Sequence, residues 1–361
     1  MNKSKTKILF LGQLPEERSP SQRFRIEAYK ELLGKNNIAY FFQPFISEKY
    51  YPYIYQKGHL LKKVMAVVSG FVQRFAGLFQ YRNVDFVFVQ REASPVGPPL
   101  FEWIYAKLLR KKLIYDFDDA IWITNITEGN KLAHYIKCYW KIKYICRWSH
   151  KVSVGNDFLG NYAKRFNQNV VYNPTCVDTD NRFNILSDQQ KQPVTIGWTG
   201  SHSTIQFLSL GIPVLKRLEE KLPFRFLIIC DRKPDFDLHS IDFKPWNKTT
   251  EIEDLAQINI GIMPLKEDIW SEGKCGFKLI QYMALGIPAV ASPVGVNKTI
   301  IEHGINGYLC QTNEEWIACL TELLQEEQKR ITFGERGRKK IEQEYSVAAN
   351  AANFLSLFSS Q

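Results

Sequence analysis

Little in this 361-residue chain suits a membrane span, a disulfide scaffold or a zinc site. No window holds the roughly 18 apolar residues that a spanning helix needs. The seven cysteines, Cys138, Cys146, Cys176, Cys230, Cys275, Cys310 and Cys319, are odd in number, scattered, and form no CxxC pair. That pattern indicates neither a disulfide framework nor a zinc site and fits a reducing cytosol best. The start, MNKSKTKILFLG, has a basic lead, but its apolar run ends at Gly12, so it reads as a first strand rather than a signal peptide. No GxGxxG follows that strand, which argues against a dehydrogenase-type dinucleotide site. Acidic residues are scarce in the first half. Residues 1–180 hold 27 Lys and Arg against 15 Asp and Glu, whereas the remainder holds 20 against 22. Such asymmetry implies that one half alone meets an anionic surface or substrate.

What is present is globular, with 45% apolar and 23% charged residues, and the length suits two domains. Lys7 to Leu11 reads as a strand, Gly12-Gln13-Leu14-Pro15 as a loop, and Ser19-Pro20-Ser21 as a helix start with Ser21 as N-cap. Arg23 and Arg25 fall in that helix's first turn, where the dipole disfavours them; they mark either a nearby anion or two solvated arginines. A strand over Ile38 to Phe42 completes a βαβ unit, hence a parallel sheet. Val84 to Gln90 and Lys112 to Tyr115 are further strands, running into Arg91-Glu92 and Asp116-Phe117-Asp118-Asp119. Carboxyl ends of parallel strands line a ligand crevice, so both clusters should face it. Three carboxylates in four residues need a cation, a hydroxyl donor or an arginine among them.

Two stretches leave alternatives open. From Leu60 to Phe79, the residues Leu60, Leu61, Val64, Val67, Val68, Phe71, Phe75 and Phe79 recur at helical spacing. That face either packs on the sheet or lies on a membrane with Lys62 and Lys63 toward lipid phosphates. In KLAHYIKCYWKIKYICRWSHK, residues 131–151, basic side chains alternate with Tyr135, Tyr139, Trp140, Tyr144 and Trp148. The run fits an anionic lipid surface, a nucleic-acid face, or a solvated basic helix with buried aromatics. Polar residues over 176–192 suit a linker. The βα pattern then restarts, with a strand Val194 to Trp198, a small-residue loop Thr199-Gly200-Ser201, a helix Ser203 to Leu218, a strand Arg225 to Cys230 ending at Asp231, and a strand Ile260 to Leu265.

The most informative stretch is WSEGKCGFKLIQYMALGIPAVASPVGVN, residues 270–297. A loop with Lys274 and Gly276 feeds a helix over Phe277 to Leu285, which Gly286 stops and Pro288 cannot continue. Free backbone N–H groups at a helix start, with Lys274 and Lys278 beside them, make a site for a phosphate.

This stretch resembles the donor-sugar signature of the GT-B glycosyltransferases, in particular the GT4-like (group 1) family. The likeness rests on Gly276, Met283, Ala284, Gly286, Pro288, Val290, Ala291 and Ser292, and GWTGS at 197–201 sits where that family has its phosphate-binding loop. It departs at Gln281, which stands where the family has a glutamate, and at Trp198, Thr199 and His202, where many members have an arginine and a lysine. The resemblance implies an α/β fold of two Rossmann-like domains with parallel sheets. An acceptor-side domain would span 1–180 and a donor domain 181–345, with 346–361 returning to the first domain as a helix. It implies a retaining, metal-independent hexosyltransferase that moves a sugar from a nucleotide sugar to an acceptor hydroxyl, in cell-surface polysaccharide or glycolipid assembly. The nucleotide sugar is a co-substrate and no cofactor is expected. Donor-binding residues would be Gly12, Gly200, Ser201, Asp231, Lys274, Gly276, Phe277, Lys278 and Gln281. Acceptor-side residues would be Arg23, Arg91 and Glu92, with Asp116, Asp118 and Asp119 supplying the catalytic carboxylate and no metal ligands. The protein is expected in the cytoplasm, peripheral on the inner face of an anionic membrane, with a glycan or lipid-linked acceptor and no nucleic acid. The alternatives are a HAD-like phosphatase using Asp116 and Asp118, after the strand-plus-DxD pattern, or a non-enzymatic basic lipid- or nucleic-acid-binding protein.

Overall fold

The computed structural model describes residues 5–56, 58–123 and 136–359. Lys131 and Tyr135 of the basic-aromatic run lie outside them. The chain forms two compact units, Met1–Thr175 with Ala351–Gln361, and Cys176–Asn350, against expected boundaries at 180 and 345.

In the first unit, β1 (Lys7–Gly12), β2 (Ala39–Pro44), β3 (Phe86–Gln90), β4 (Lys112–Phe117), β5 (Lys151–Val154) and β6 (Val170–Tyr172) form one parallel sheet in the order β2-β1-β3-β4-β5-β6. β3, FVFVQ, is buried at every position, as a strand covered on both faces requires. After β2 the chain crosses to the other side of β1, so the switch point lies between β1 and β3, beside Gly12 and Gln90.

The second unit repeats the plan with β7 (Thr195–Thr199), β8 (Arg225–Cys230), β9 (Ile241–Pro245), β10 (Ile260–Met263), β11 (Ala289–Ala291) and β12 (Gly307–Leu309), in the order β12-β11-β10-β7-β8-β9. Its switch point lies between β7 and β10, flanked by the loop at Gly200 and the segment leading to Gly276. The α/β class with two parallel sheets is as the sequence implied.

Several local expectations differ. Residues 176–192 are no loose linker. Val177 and Phe183 are buried, the Ser187 hydroxyl donates to the Ile258 carbonyl at 2.6 Å, and Arg330 donates to the Gln189 carbonyl at 2.9 Å, all within the second unit. The expected helix over 203–218 is interrupted near Gly211, and Pro213 starts its second part, Ile212–Glu219. The final helix is shorter than expected, Ala351–Ser356, and packs on the first sheet. Phe354 stacks on Tyr29 at 3.9 Å between ring centroids, and Phe358 meets Phe10 and Phe86 edge-on.

The helix Leu60–Gln80 packs by a side other than its apolar stripe. Its packed side is made of Ala66, Gly70, Arg74 and Gly77. A Cβ on Gly70 would come within 2.6 Å of the Phe45 ring and 2.7 Å of the Phe45 carbonyl, so glycine is needed there, while one on Gly77 would have to displace the Gln43 amide at 2.6 Å. Of the apolar residues at helical spacing, Val67 and Phe71 are partly covered, whereas Leu60, Leu61, Val64, Val68, Phe75 and Phe79 are exposed. Among the described residues no helix is long and apolar enough to cross a membrane.

Candidate functional site

At the carboxyl edge of the first sheet the acidic cluster divides by partner. Asp116 is fully buried. It accepts from Arg25 Nε at 2.7 Å, from Arg25 Nη2, and from the Ser153 hydroxyl at 2.5 Å. The same guanidinium donates to the Asn173 carbonyl at 2.8 Å. Parallel register places Asp116 beside both Gln90 and Ser153, so strand pairing aims its carboxylate into the unit. Arg25 is therefore neither solvated nor waiting for a ligand, and Asp116 is not available as a base.

Asp118 accepts from the Ser21 hydroxyl at 2.5 Å and from Arg91 Nε at 2.9 Å. Burial would raise its pKa, but the Arg91 and Arg25 charges and the Ser21 hydrogen bond outweigh that and hold it below the usual carboxylate range. Ser21 thus serves Asp118; the helix N-cap is Ser19. Asp119 pairs with Arg91 Nη2 at 2.6 Å and keeps a quarter of its side chain exposed. Arg91 itself sits at φ 63°, a left-handed backbone rare outside glycine, with its N–H donating to the Asp116 carbonyl at 2.7 Å. Glu92 accepts from Gln13 at 3.1 Å and pairs at 2.5 Å with Lys141, whose ammonium is buried. Arg23 is buried with its guanidinium over the Phe24 ring at 4.9 Å. Gly12 is glycine for packing: a Cβ would meet the Phe42 ring at 2.6 Å, while its carbonyl accepts from Arg74 at 2.7 Å.

In the second unit the loop after β7 and the segment after β10 face each other. Gly200 lies against the Trp198 ring, where a Cβ would approach to 2.4 Å. Lys278 sits over that indole at 5.6 Å, and Lys274 over Phe207 at 5.2 Å and Trp270 at 5.8 Å. The Ser201 N–H donates to Thr204 Oγ1 at 3.1 Å, turning the loop into its helix. Asp231, at the end of β8, accepts from the backbone N–H of His202 at 2.6 Å and lies 2.6 Å from its Nδ1. Burial pushes the Asp231 pKa up, but the hydrogen bonds from His202 and Cys230 bring it below its ordinary value. Gly276 caps the helix Phe277–Ala284 at φ 65°, and a Cβ there would collide with Ile300 at 2.3 Å. One turn on, Gln281 is buried, Phe277 and Lys278 are half-buried, and the Tyr282 hydroxyl accepts from the Thr199 N–H at 3.0 Å, tying this helix to β7.

Residues 193–326 match the family described as glycosyl transferases group 1. The match lies wholly within the second unit. A 72-residue segment is 31% identical to N-acetyl-alpha-D-glucosaminyl L-malate synthase of Bacillus anthracis, a match that spans 19% of each protein. Sucrose-phosphate synthase from Thermosynechococcus elongatus superposes with a TM-score of 0.69 at 14% identity, over 98% of both chains. Anabaena HepE in complex with UDP and glucose gives 0.65 at 15%, over 99% of this chain and 100% of that one. Starch synthase IV from Arabidopsis thaliana, bound to ADP and acarbose, gives 0.69 at 9%, over 98% and 99%. At these identities the structures establish the GT-B fold.

Every expected donor residue except Gly12 falls inside the matched segment 193–326, in the unit that holds the β7–β10 switch point. Gly12, Arg23, Arg91, Glu92 and the three aspartates belong to the first unit. Sequence reasoning missed the roles of Arg25, Ser21, Ser153 and Lys141, because their partners lie far along the chain. His202 was noted only as a departure, yet it anchors Asp231; its place directly after the GWTGS loop was the available signal.

Proposed function

We propose that this protein transfers a glycosyl group from a nucleotide sugar to an acceptor hydroxyl, in the assembly of a cell-surface polysaccharide or glycolipid. The observation that carries this reading is the pair Lys274 and Lys278 flanking Gly276 at the N-terminus of the Phe277–Ala284 helix, with Lys278 over the Trp198 ring against which Gly200 lies. Backbone N–H groups at that helix start, with two ammonium groups beside them, suit a diphosphate that gains charge as it leaves. Gln281 hydrogen-bonds a ribose hydroxyl from the same helix. The neighbours whose structures hold UDP with glucose, and ADP with acarbose, lend support to a donor of this kind.

On the acceptor side, Asp119 is the carboxylate that orients or deprotonates the acceptor hydroxyl, with Arg91 holding it in place. Asp116 is committed to Arg25, whereas Asp118 and Asp119 both pair with Arg91. The HAD-like reading is disfavoured on the same ground, since Asp116 and Asp118 turn to different arginines instead of converging on one phosphate. Transfer is retaining and needs no metal in this proposal, lysines and the helix end neutralising the diphosphate. The acceptor is a glycan or lipid-linked sugar, met at the anionic inner face of the cytoplasmic membrane. The test is thermal stabilisation of the protein across UDP-, GDP-, ADP- and dTDP-sugars, followed by nucleoside diphosphate release in the presence of acceptor lipid extract. One donor should raise the melting temperature and lose its sugar; no response to any of the four would defeat the proposal.

A further inference from the structure

The helix Leu60–Gln80 presents to solvent a face that a folded protein ordinarily hides. Leu61, Val64, Met65, Val68, Val72, Phe75 and Phe79 are all exposed, Leu61 by 73% and Phe79 by 79%. They recur every three to four residues over the whole helix, directly opposite the packed stripe of Ala66, Gly70, Arg74 and Gly77. A continuous apolar face of this length on a charged protein marks an interaction surface.

Its surroundings indicate what covers it. Phe75 packs edge-on against Phe101 at 5.0 Å, joining the helix to the segment Leu100–Trp103. Leu100 and Trp103 there line a cleft of about 430 Å³ with Pro98, Trp140, Lys143 and Trp148. Indole and phenol rings beside a lysine are the composition of a membrane interface, where one end of the side chain is apolar and the other wet. Charge points the same way. Residues 60–80 and 136–148 contain no Asp or Glu, and in 100–111 Glu102 is buried. Lys62, Lys107, Arg110, Lys137, Lys143 and Arg147 are exposed. A second copy of the chain would set this cationic surface against itself, whereas anionic headgroups complement it.

We infer that the exposed face of the Leu60–Gln80 helix inserts into the interface of an anionic bilayer, with the Trp103–Trp140 cleft at headgroup level and the exposed lysines and arginines on the lipid phosphates. The helix lies in the membrane plane and does not span it. Because apolar burial adds to the charge attraction, binding is only partly lost in high salt. For its purpose, bringing the first unit to a membrane-borne acceptor, the inference rests on the function proposed above; the attachment itself does not.

Flotation of the full chain with phosphatidylcholine vesicles, alone and with phosphatidylglycerol, tests it. Binding should favour the anionic vesicles and persist in part at high salt. Replacing Val68 and Val72 by Asp should cost about tenfold each in partitioning. Lys143→Gln with Arg147→Gln should erode the anionic preference and leave the salt-resistant part. Quenching of tryptophan fluorescence by brominated lipid in the unmodified protein gives a readout that needs no variant to fold. Absence of quenching, equal flotation of the Val68→Asp, Val72→Asp variant, or sedimentation as a dimer that this variant dissolves without vesicle binding would each overturn the inference. Donor-nucleotide calorimetry without vesicles reads the proposed activity separately: an intact donor signal with no flotation removes the membrane surface alone.

Discussion

Replacing Asp116 with Asn should destabilise the first unit rather than merely slow a reaction. Both Asp116 and Arg25 have fully buried side chains, and the Asp116 carboxylate accepts from two nitrogens of that guanidinium. Asparagine keeps the volume but removes the charge and turns an NH2 toward a group that only donates. Breaking a buried pair from one side costs about 3–5 kcal/mol, because the surviving ion stays desolvated. Set against a total stability of about 5–15 kcal/mol for a domain, that is a large fraction. At about 2–4 °C per kcal/mol for a unit of this size, the melting transition should fall by about 6–20 °C. Urea denaturation followed by circular dichroism, with the unit-specific transition assigned by Phe10 or Phe88 variants, supplies the measurement. Arg25→Met combined with Asp116→Leu should recover much of the loss, since an apolar pair leaves no charge behind. The reasoning fails if Asp116→Asn melts within 1 °C or so of the parent and yet abolishes turnover, because Asp116 would then be acting on substrate.

Three further outcomes follow from the geometry. Lys278→Ala should weaken nucleotide-sugar binding by about 1.5–3 kcal/mol, the worth of a charge-assisted bond to phosphate, as read by calorimetry on the folded variant. Gly276→Ala should destabilise the second unit and impair donor binding together, because the φ of 65° and the 2.3 Å approach to Ile300 leave no room for a methyl group; equal melting of variant and parent would refute it. Asp118, whose pKa is depressed below its ordinary 3.8, contributes stability that is full above that value and disappears as pH falls through its lower folded pKa. The stability gap between the parent and Asp118→Asn should therefore be constant near neutrality and close in acid; a gap that widened in acid would contradict the Arg91 pairing.

Much of this was legible because the signals were local. Buried strands such as FVFVQ announce themselves as unbroken apolar runs, and GKCGFK sets a glycine and two lysines at a helix start within five residues of one another. Assigning the DFDD carboxylates was not local. Asp116 meets Arg25 across 91 residues and Ser153 across 37, and no spacing rule reveals such pairs. The long amphipathic helix was ambiguous for a different reason. Periodicity records that one face is apolar but not which face is packed; Ala66, Gly70 and Gly77 mark the packed side, since small residues permit close approach. Residues 176–192 misled through composition, as Asp178, Asp180 and Asn181 outnumber the few side chains, Val177 and Phe183, that anchor the segment.

The stacking of Phe354 on Tyr29, and of Phe358 around Phe10 and Phe86, has a bearing on how the chain is made. A ribosome delivers the first sheet early, yet the aromatic cover for Phe10 and Phe88 arrives only when residues 351–358 emerge. The intervening unit, continuous from Cys176 to Asn350, has all its strands in hand by then. The part begun first is thus the part finished last, and until then its apolar flank is the kind of surface on which folding chains aggregate. Deleting residues 351–358 would spare the second unit and strip the first of its aromatic cover.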